Sequence, residues 1–288
     1  MSPSLHVLVT GATGMLAHDL VPALHEAGHV VTAMGRDDLD ITDPGACIAA
    51  AAGHDLIVNC AAWTRVDDAE SHEQEAFAVN AVGAANMARG AAHAGARILH
   101  LSTDYVFDGQ ATLPYAAEHP PSPRSAYGRT KLAGEWAVRA LCADNWVVRT
   151  AWLYGAGGPN FVTTMLRLAQ ERDILEVVDD QHGQPTWTRD LADLIVRMIA
   201  ADAPAGIYHG TATGETTWHG LARVVFEARG LDPERVRPAT TDAFPRPASR
   251  PAYSVLSHAT LEEAGITPMR DWHAAVKDFV GELPRSTG

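Results

Sequence analysis

An apolar run, Leu5-His-Val-Leu-Val-Thr10, passes directly into Gly11-Ala-Thr-Gly14-Met-Leu-Ala17. A helix-forming stretch follows to about Ala27, and Gly28 ends it. Few architectures accept this order. A strand apolar along its length, a glycine turn and an immediate helix open a β-α-β unit. The glycines let the backbone approach a pyrophosphate, and the first-turn N–H groups of the helix face its charge. The spacing is G-x-x-G-x-x-A rather than G-x-G-x-x-G, with Ala17 where a third glycine would stand. Pro22 falls inside the helix and is expected to kink it.

The rest of the chain repeats the alternation. His29–Met34 reads as the second strand and ends in Gly35-Arg36. An acidic residue there would suit the ribose hydroxyls of NAD, whereas an arginine suits a 2′-phosphate, so Arg36 favours NADPH and leaves NADH as the alternative. Asp40-Ile41-Thr-Asp-Pro44 caps the next helix. Asp55–Cys60 is the third strand, followed by Ala61, Ala62, Trp63 and Thr64, where small residues let a cofactor ring lie against the backbone. A helix from about Glu70 to Gly95 carries Asn80 in its middle. Arg97–Ser102 is the fourth strand, with Thr103 and Asp104 at its end. Leu175–Val178 and Gly206–His209 are further strands flanking a helix over Arg189–Ala200. The fold class is therefore α/β: a Rossmann-type doubly wound parallel sheet with a smaller mixed α/β substrate domain. Residues 1–153 plus about 174–209 form the dinucleotide-binding domain, and about 154–173 plus 210–288 the substrate-binding domain.

With 22 basic against 35 acidic residues the net charge is −13, which argues against nucleic acid or an anionic membrane as partner. An anionic small molecule would need a local basic pocket. Arg246 and Arg250, on the stiff loop Phe244-Pro-Arg-Pro-Ala-Ser-Arg250, suit a diphosphate, although a solvated loop has the same composition. Cys47, Cys60 and Cys142 are odd in number and widely spaced, as expected of reduced thiols in the cytoplasm. Neither a signal-peptide pattern nor a membrane-spanning apolar run is expected. His25 and His29 are separated by the helix-ending Gly28, with no third ligand in evidence, so no metal is expected. Trp146, Trp218 and Trp272 read as core.

The chemical centre of the sequence is Tyr127-Gly-Arg-Thr-Lys131, at the start of a helical run. Residues four apart share a helix face, so the phenol and the ammonium can point into one cleft. A nearby cation would lower the phenol pKa from about 10, making the tyrosine able to pass a proton at neutral pH.

Gly11-Ala-Thr-Gly14, Asn59-Cys-Ala-Ala62, Ser102-Thr103 and Tyr127-x-x-x-Lys131 together resemble the extended short-chain dehydrogenase/reductases. Within that group, the chain resembles the dTDP-4-dehydrorhamnose reductase family. The closer signs are Ser102-Thr-Asp-Tyr-Val-Phe-Asp-Gly109, Tyr127-Gly-Arg-Thr-Lys-Leu-Ala-Gly-Glu135 and Arg149-Thr-Ala-Trp-Leu-Tyr154. Asn160-Phe-Val-Thr-Thr-Met165, Asp180-Gln-His-Gly-Gln-Pro-Thr186, Thr216-Thr-Trp-His219 and Pro245-Arg-Pro-Ala-Ser-Arg-Pro251 follow in the same order.

The resemblance implies NADPH-dependent reduction of the C4 keto group of dTDP-4-dehydro-6-deoxy-L-mannose to dTDP-L-rhamnose. Tyr127 would be the proton donor, Lys131 would hold the ribose and tune Tyr127, and Thr103 would complete the catalytic set near O4. Thr103 and Asp104 would touch the sugar, and Trp152 would pack on it. Gly11, Thr13, Gly14, Met15, Leu16, Gly35, Asp40, Ile41, Ala61, Ala62, Trp63 and Thr64 would line the cofactor. Reductases of other dTDP-deoxysugars such as a dihydrostreptose branch, a sugar-nucleotide epimerase or dehydratase, and a non-catalytic regulatory subunit stay open. Some family members dimerise through a metal held by two glutamates. Asp19 and Arg189 occupy those places here, so a homodimer is left open without its metal.

Overall fold

The computed structural model describes residues 3–284. The first half of the chain runs β1 (His6–Thr10), α1 (Met15–Glu26), β2 (Val30–Met34), α2 (Pro44–Ala51), β3 (Leu56–Asn59), α3 (Glu73–Phe77), α4 (Ala84–Ala94), β4 (Arg97–Thr103), α5 (Ala126–Leu141) and β5 (Asn145–Thr150). The second half adds the strands β6 (Leu153–Tyr154), β7 (Leu175–Val178), β8 (His182–Gly183), β9 (Thr186–Trp187), β10 (Gly206–His209), β11 (Ala212–Thr213), β12 (Thr216–Thr217), β13 (Val236–Ala239) and β14 (Met269–Asp271). Its helices are α6 (Phe161–Glu171), α7 (Thr188–Ala200), α8 (Trp218–Arg229), α9 (Ala259–Glu263) and α10 (Trp272–Glu282).

Six strands form one parallel sheet in the order β10-β5-β4-β3-β1-β2. Because side chains alternate along a strand, each strand feeds two cores. Val7, Val9, Leu56, Val58, Leu99, Leu101, Trp146 and Val148 pack with α1 and α7 on one face. Leu8, Ile57, Ile98 and Val147 pack with α2, α4 and α5 on the other. Helices on both faces bury the sheet, and all strand C-termini point to one edge.

A second apolar cluster lies apart from these two. Leu175 and Val177 of β7, Val236 of β13, and residues of α6, α8 and α10 surround Tyr154, Trp187, Phe226 and Phe279. The pairs β7–β13, β6–β9 and β11–β14 are parallel, and β8–β12 is antiparallel.

Two expectations change. The run Leu175–Val178, assigned by sequence to the dinucleotide-binding part, pairs with β13 and packs in the second cluster, because β10 already occupies the sheet edge beside β5. The helix expected from Glu70 to Gly95 breaks into a 3-10 turn (Asp68–Glu70), α3, a π-helical turn (Ala78–Gly83) and α4. α1 carries Pro22 inside it and runs to Glu26.

Candidate active site

The glycine turn joins β1 to α1. Gly11 has φ 67°, and a Cβ there would lie 2.7 Å from Ala61 N and 2.9 Å from Cys60 C, so only glycine lets the turn lie on the chain leaving β3. Gly14 caps α1, donates its N–H to Gly11 O at 2.9 Å, and no side chain occupies the capping position. The first-turn N–H groups thus remain for an anion, the feature by which this turn fits a dinucleotide pyrophosphate. Thr13 touches Gly35 at the end of β2, where Gly35 N–H donates to Asp38 Oδ2 at 2.9 Å and Arg36 is exposed. Asp40 accepts the Thr42 N–H at 2.9 Å, and Ile41 is buried. Past β3, Asn80 clamps the backbone of Trp63. Trp63 N–H donates to Asn80 Oδ1 at 2.8 Å, and Asn80 Nδ2 donates to Trp63 O at 3.1 Å and to Thr130 Oγ1 at 3.0 Å. The Trp63 ring carries the Arg65 guanidinium over it at 4.2 Å.

Thr103 ends β4, and its Oγ1 accepts the Tyr105 N–H at 3.2 Å and donates to Asp104 Oδ1 at 2.9 Å. Ser125 caps α5 by accepting the Gly128 N–H at 3.1 Å. Gly128 sits so close to Tyr105 that an added Cβ would fall 2.2 Å from its carbonyl oxygen. That approach brings Tyr127 to Thr103, whose hydroxyl is close enough to pull the phenol pKa down, and sets the Tyr105 ring edge-on to Tyr127 at 5.6 Å.

The electrostatics differ from the sequence reading. Burial pushes the Tyr127 phenol up to about 12; the nearby Thr103 hydroxyl opposes this and the Asp104 charge adds to it. The ammonium of Lys131, expected to hold the phenol down, has a different partner: its Nζ donates to Leu101 O at 2.5 Å, and the side chain is buried. Its long stem reaches the β4 backbone. Burial lowers Lys131 to about 8, with Glu135 and Cys60 pulling the other way. Asp104, 2% exposed, is pushed up to about 6 by burial. Its Oδ2 is buried without a hydrogen bond of normal geometry, although the Ser254 hydroxyl is close enough to pull the pKa down.

Trp152 follows β5 two residues past Thr150, the register partner of Thr103. Its backbone stands at φ 47°, a conformation that costs a tryptophan about 1–3 kcal/mol. Arg250, which the sequence offers with Arg246 for a diphosphate, already has partners within the chain. It pairs with Asp67 at 2.8 Å and donates to Ala248 O at 3.2 Å. Arg246 is exposed. Asp19 accepts the Thr188 hydroxyl at 2.5 Å and Arg189 pairs with Glu282 at 2.6 Å. No group of three or more metal-binding side chains occurs among the described residues.

A family model described as the RmlD substrate binding domain matches residues 5–284. The dTDP-4-dehydrorhamnose reductase of Streptomyces griseus is 53% identical over 278 residues, covering 94% of this chain and 91% of that one. The dTDP-4-keto-6-deoxy-D-glucose reductase of Streptomyces niveus is 50% identical, covering 93% and 94%. The crystal structure of dTDP-4-dehydrorhamnose reductase from Bacillus anthracis in complex with NADP superposes with a TM-score of 0.93 at 35% identity, over 98% of this chain and 100% of that one. The chain belongs to the dTDP-4-dehydrorhamnose reductase family of the extended short-chain dehydrogenase/reductases.

As a member of this family it is a nicotinamide-dependent oxidoreductase. The glycine turn, Gly35, Arg36, Asp40, Ile41 and the segment Ala61–Thr64 gather at the C-terminal ends of β1, β2 and β3, with Thr103, Asp104 and Tyr127 next along the same edge. Three features escaped the sequence reading. Asn80 showed only as an asparagine inside a helix, a placement that is unfavourable unless its side chain has other partners. Glu135 and Arg149 form a buried bidentate pair, to which the Ser102 hydroxyl also donates; the signal was an arginine directly after the apolar run Trp146-Val-Val148. Trp218, read as core, is half-buried and stacks on Trp152.

Proposed function

We propose that this chain reduces C4 of dTDP-4-dehydro-6-deoxy-L-mannose with NADPH, giving dTDP-L-rhamnose, and that Tyr127 delivers the proton to O4. The observation that carries this reading is the Tyr127 phenol, kept protonated at neutral pH by burial and set beside Thr103 at the sheet edge that also holds the glycine turn. A phenol held near 12 keeps its proton until negative charge builds on O4, then gives it up as the carbonyl becomes an alcohol. Thr103 orients O4, Asp104 and Trp152 hold the sugar, and Arg246 meets the diphosphate. Arg250 contributes mainly by tying its loop to Asp67.

NADPH, when bound, supplies the hydride. The turn Gly11–Leu16 would hold its pyrophosphate, Arg36 its 2′-phosphate, and Lys131 its ribose; Gly35, Asp40, Ile41 and Ala61–Thr64 would line the remainder. The smaller domain, about 154–173 and 210–288, takes the nucleotide sugar together with the strand Leu175–Val178. The three cysteines are free thiols, which supports a cytoplasmic setting, and among the described residues no helix is long and apolar enough to cross a membrane.

To test this, the chain is mixed with dTDP-4-dehydro-L-rhamnose and the absorbance of reduced nicotinamide is followed. Wild type should oxidise NADPH, and Tyr127→Phe should lose about 10²- to 10⁴-fold in kcat. An unchanged rate in that variant would remove the proposal. A second reading, reduction of a 4-keto-6-deoxy sugar of D-configuration, is favoured by the 50% identity to the Streptomyces niveus reductase of that name. Running both 4-keto sugars and comparing kcat/KM separates the two.

A further inference from the structure

We propose that Trp218 is a positioning residue for the nucleotide sugar: it fixes Trp152, and the two stacked indoles act as one rigid wall of the sugar site. The inference rests on the reading of Trp152 as a sugar contact and adds a residue to it. Four observations carry it.

The indole rings of Trp152 and Trp218 lie 3.6 Å apart, centroid to centroid, and 8° from parallel. Trp152 is one of only two non-glycine residues with positive φ among those described, so its backbone does not choose this orientation unaided. Gly183 leaves a slot for the ring: an added Cβ would fall 2.5 Å from Trp152 Cε2 and 2.8 Å from its Nε1. The β8–β12 pairing sets Gly183 opposite Thr216, two residues before Trp218, so one antiparallel pair brings both contacts to the same indole.

Trp218 is itself anchored. Its Nε1 donates to Gln181 Oε1 at 3.1 Å, and Gln181 Nε2 donates to Thr241 Oγ1 at 2.9 Å. Thr217 caps α8 and donates to Asp179 Oδ1 at 2.6 Å, and the Phe161 ring lies 4.7 Å from Trp218. Trp152 remains half-exposed despite this packing. A flat apolar surface presented beside the catalytic edge matches the C–H face of a 6-deoxyhexose. Holding it still before the sugar arrives removes an ordering cost from binding. The loss should therefore appear in sugar binding, with cofactor binding and the chemical step spared.

The test measures KM for dTDP-4-dehydro-L-rhamnose, kcat and the NADPH Kd in Trp152→Ala, Trp218→Ala, Trp218→Phe, Gly183→Ala and the double variant Trp152→Ala/Trp218→Ala. We expect Trp218→Ala to raise KM about tenfold, the scale of one aromatic stacking contact. Trp218→Phe should recover most of that, and kcat and the NADPH Kd should stay within about twofold when only ground-state sugar binding is weakened. In the Trp152→Ala background, Trp218→Ala should have no further effect, because its action passes through Trp152; a merely structural loss would add. Gly183→Ala, which displaces Trp152 without touching Trp218, should raise KM as well, and it decides the matter if Trp218→Ala does not fold. A raised KM in Trp152→Ala with unchanged KM in Trp218→Ala and Gly183→Ala overturns the role of Trp218 alone. An unchanged KM in Trp152→Ala overturns the sugar contact on which it rests.

Discussion

Burial moves Tyr127, Lys131 and Asp104 away from their ordinary pKa values. Tyr127 is held protonated, Lys131 is lowered to about 8 and Asp104 is raised to about 6. For Asp104 the folded pKa lies above the unfolded one, so its contribution favours the fold at low pH and is lost as pH rises from about 4 through about 6. Asp104→Asn, which cannot ionise, should therefore be more stable than wild type at pH 8 by about 1–3 kcal/mol and nearly equal to it at pH 4. Urea melts across that range check the sign; a gap that widens towards low pH would contradict it. Lys131 has the opposite polarity. It loses its charge as pH rises through about 8, so kcat/KM for the reduction should fall there, and Lys131→Arg should shift that limb out of range.

At the scale of elements, the π-helical turn Ala78–Gly83 carries the Asn80 side chain against both the Trp63 backbone and Thr130. The turn is wedged against α5, where an added Cβ on Gly134 would fall 2.2 Å from Asn80 O. Gly134→Ala should cost about 1–3 kcal/mol by overpacking. Asn80→Ala should cost a similar amount by leaving the Trp63 N–H without a partner, and should raise the NADPH Kd. Thermal melts and fluorescence titration read the two effects. The elements themselves were largely legible: five of the six sheet strands follow from apolar runs, while β5 was not read as a strand, and Ser125 and Asp43 cap helices as their residue types suggest. The π turn was not legible, because the partners of its Asn80, the Trp63 backbone and Thr130, lie 17 and 50 residues away in the chain.

Across the whole molecule, the Glu135–Arg149 pair ties α5 to β5, and Arg149 also donates to Ala117 O at 3.0 Å. Both side chains are at most 2% exposed. Removing one partner strands a buried charge, so Arg149→Met should destabilise by about 3–5 kcal/mol, whereas Arg189→Ala at the exposed Glu282 pair should cost under about 1 kcal/mol. Equal losses in urea denaturation would contradict the distinction. The same long-range ordering explains why Leu175–Val178 was placed in the wrong half: its apolar pattern suits any buried strand, and only the partner β13, far along the chain, decides which sheet it joins.

The alternation of strands and helices, the glycine turn, the placing of Tyr127 and Lys131 on one helix and the family itself were readable from the chain, because each depends on residues near one another in sequence. The direction of the Lys131 ammonium, the high pKa of Tyr127, the commitment of Arg250 to Asp67 and the stacking of Trp152 on Trp218 came only with the tertiary structure. Each is set by how deeply a group is taken out of water and by which distant residue meets it there, and neither quantity has a local signature in the sequence.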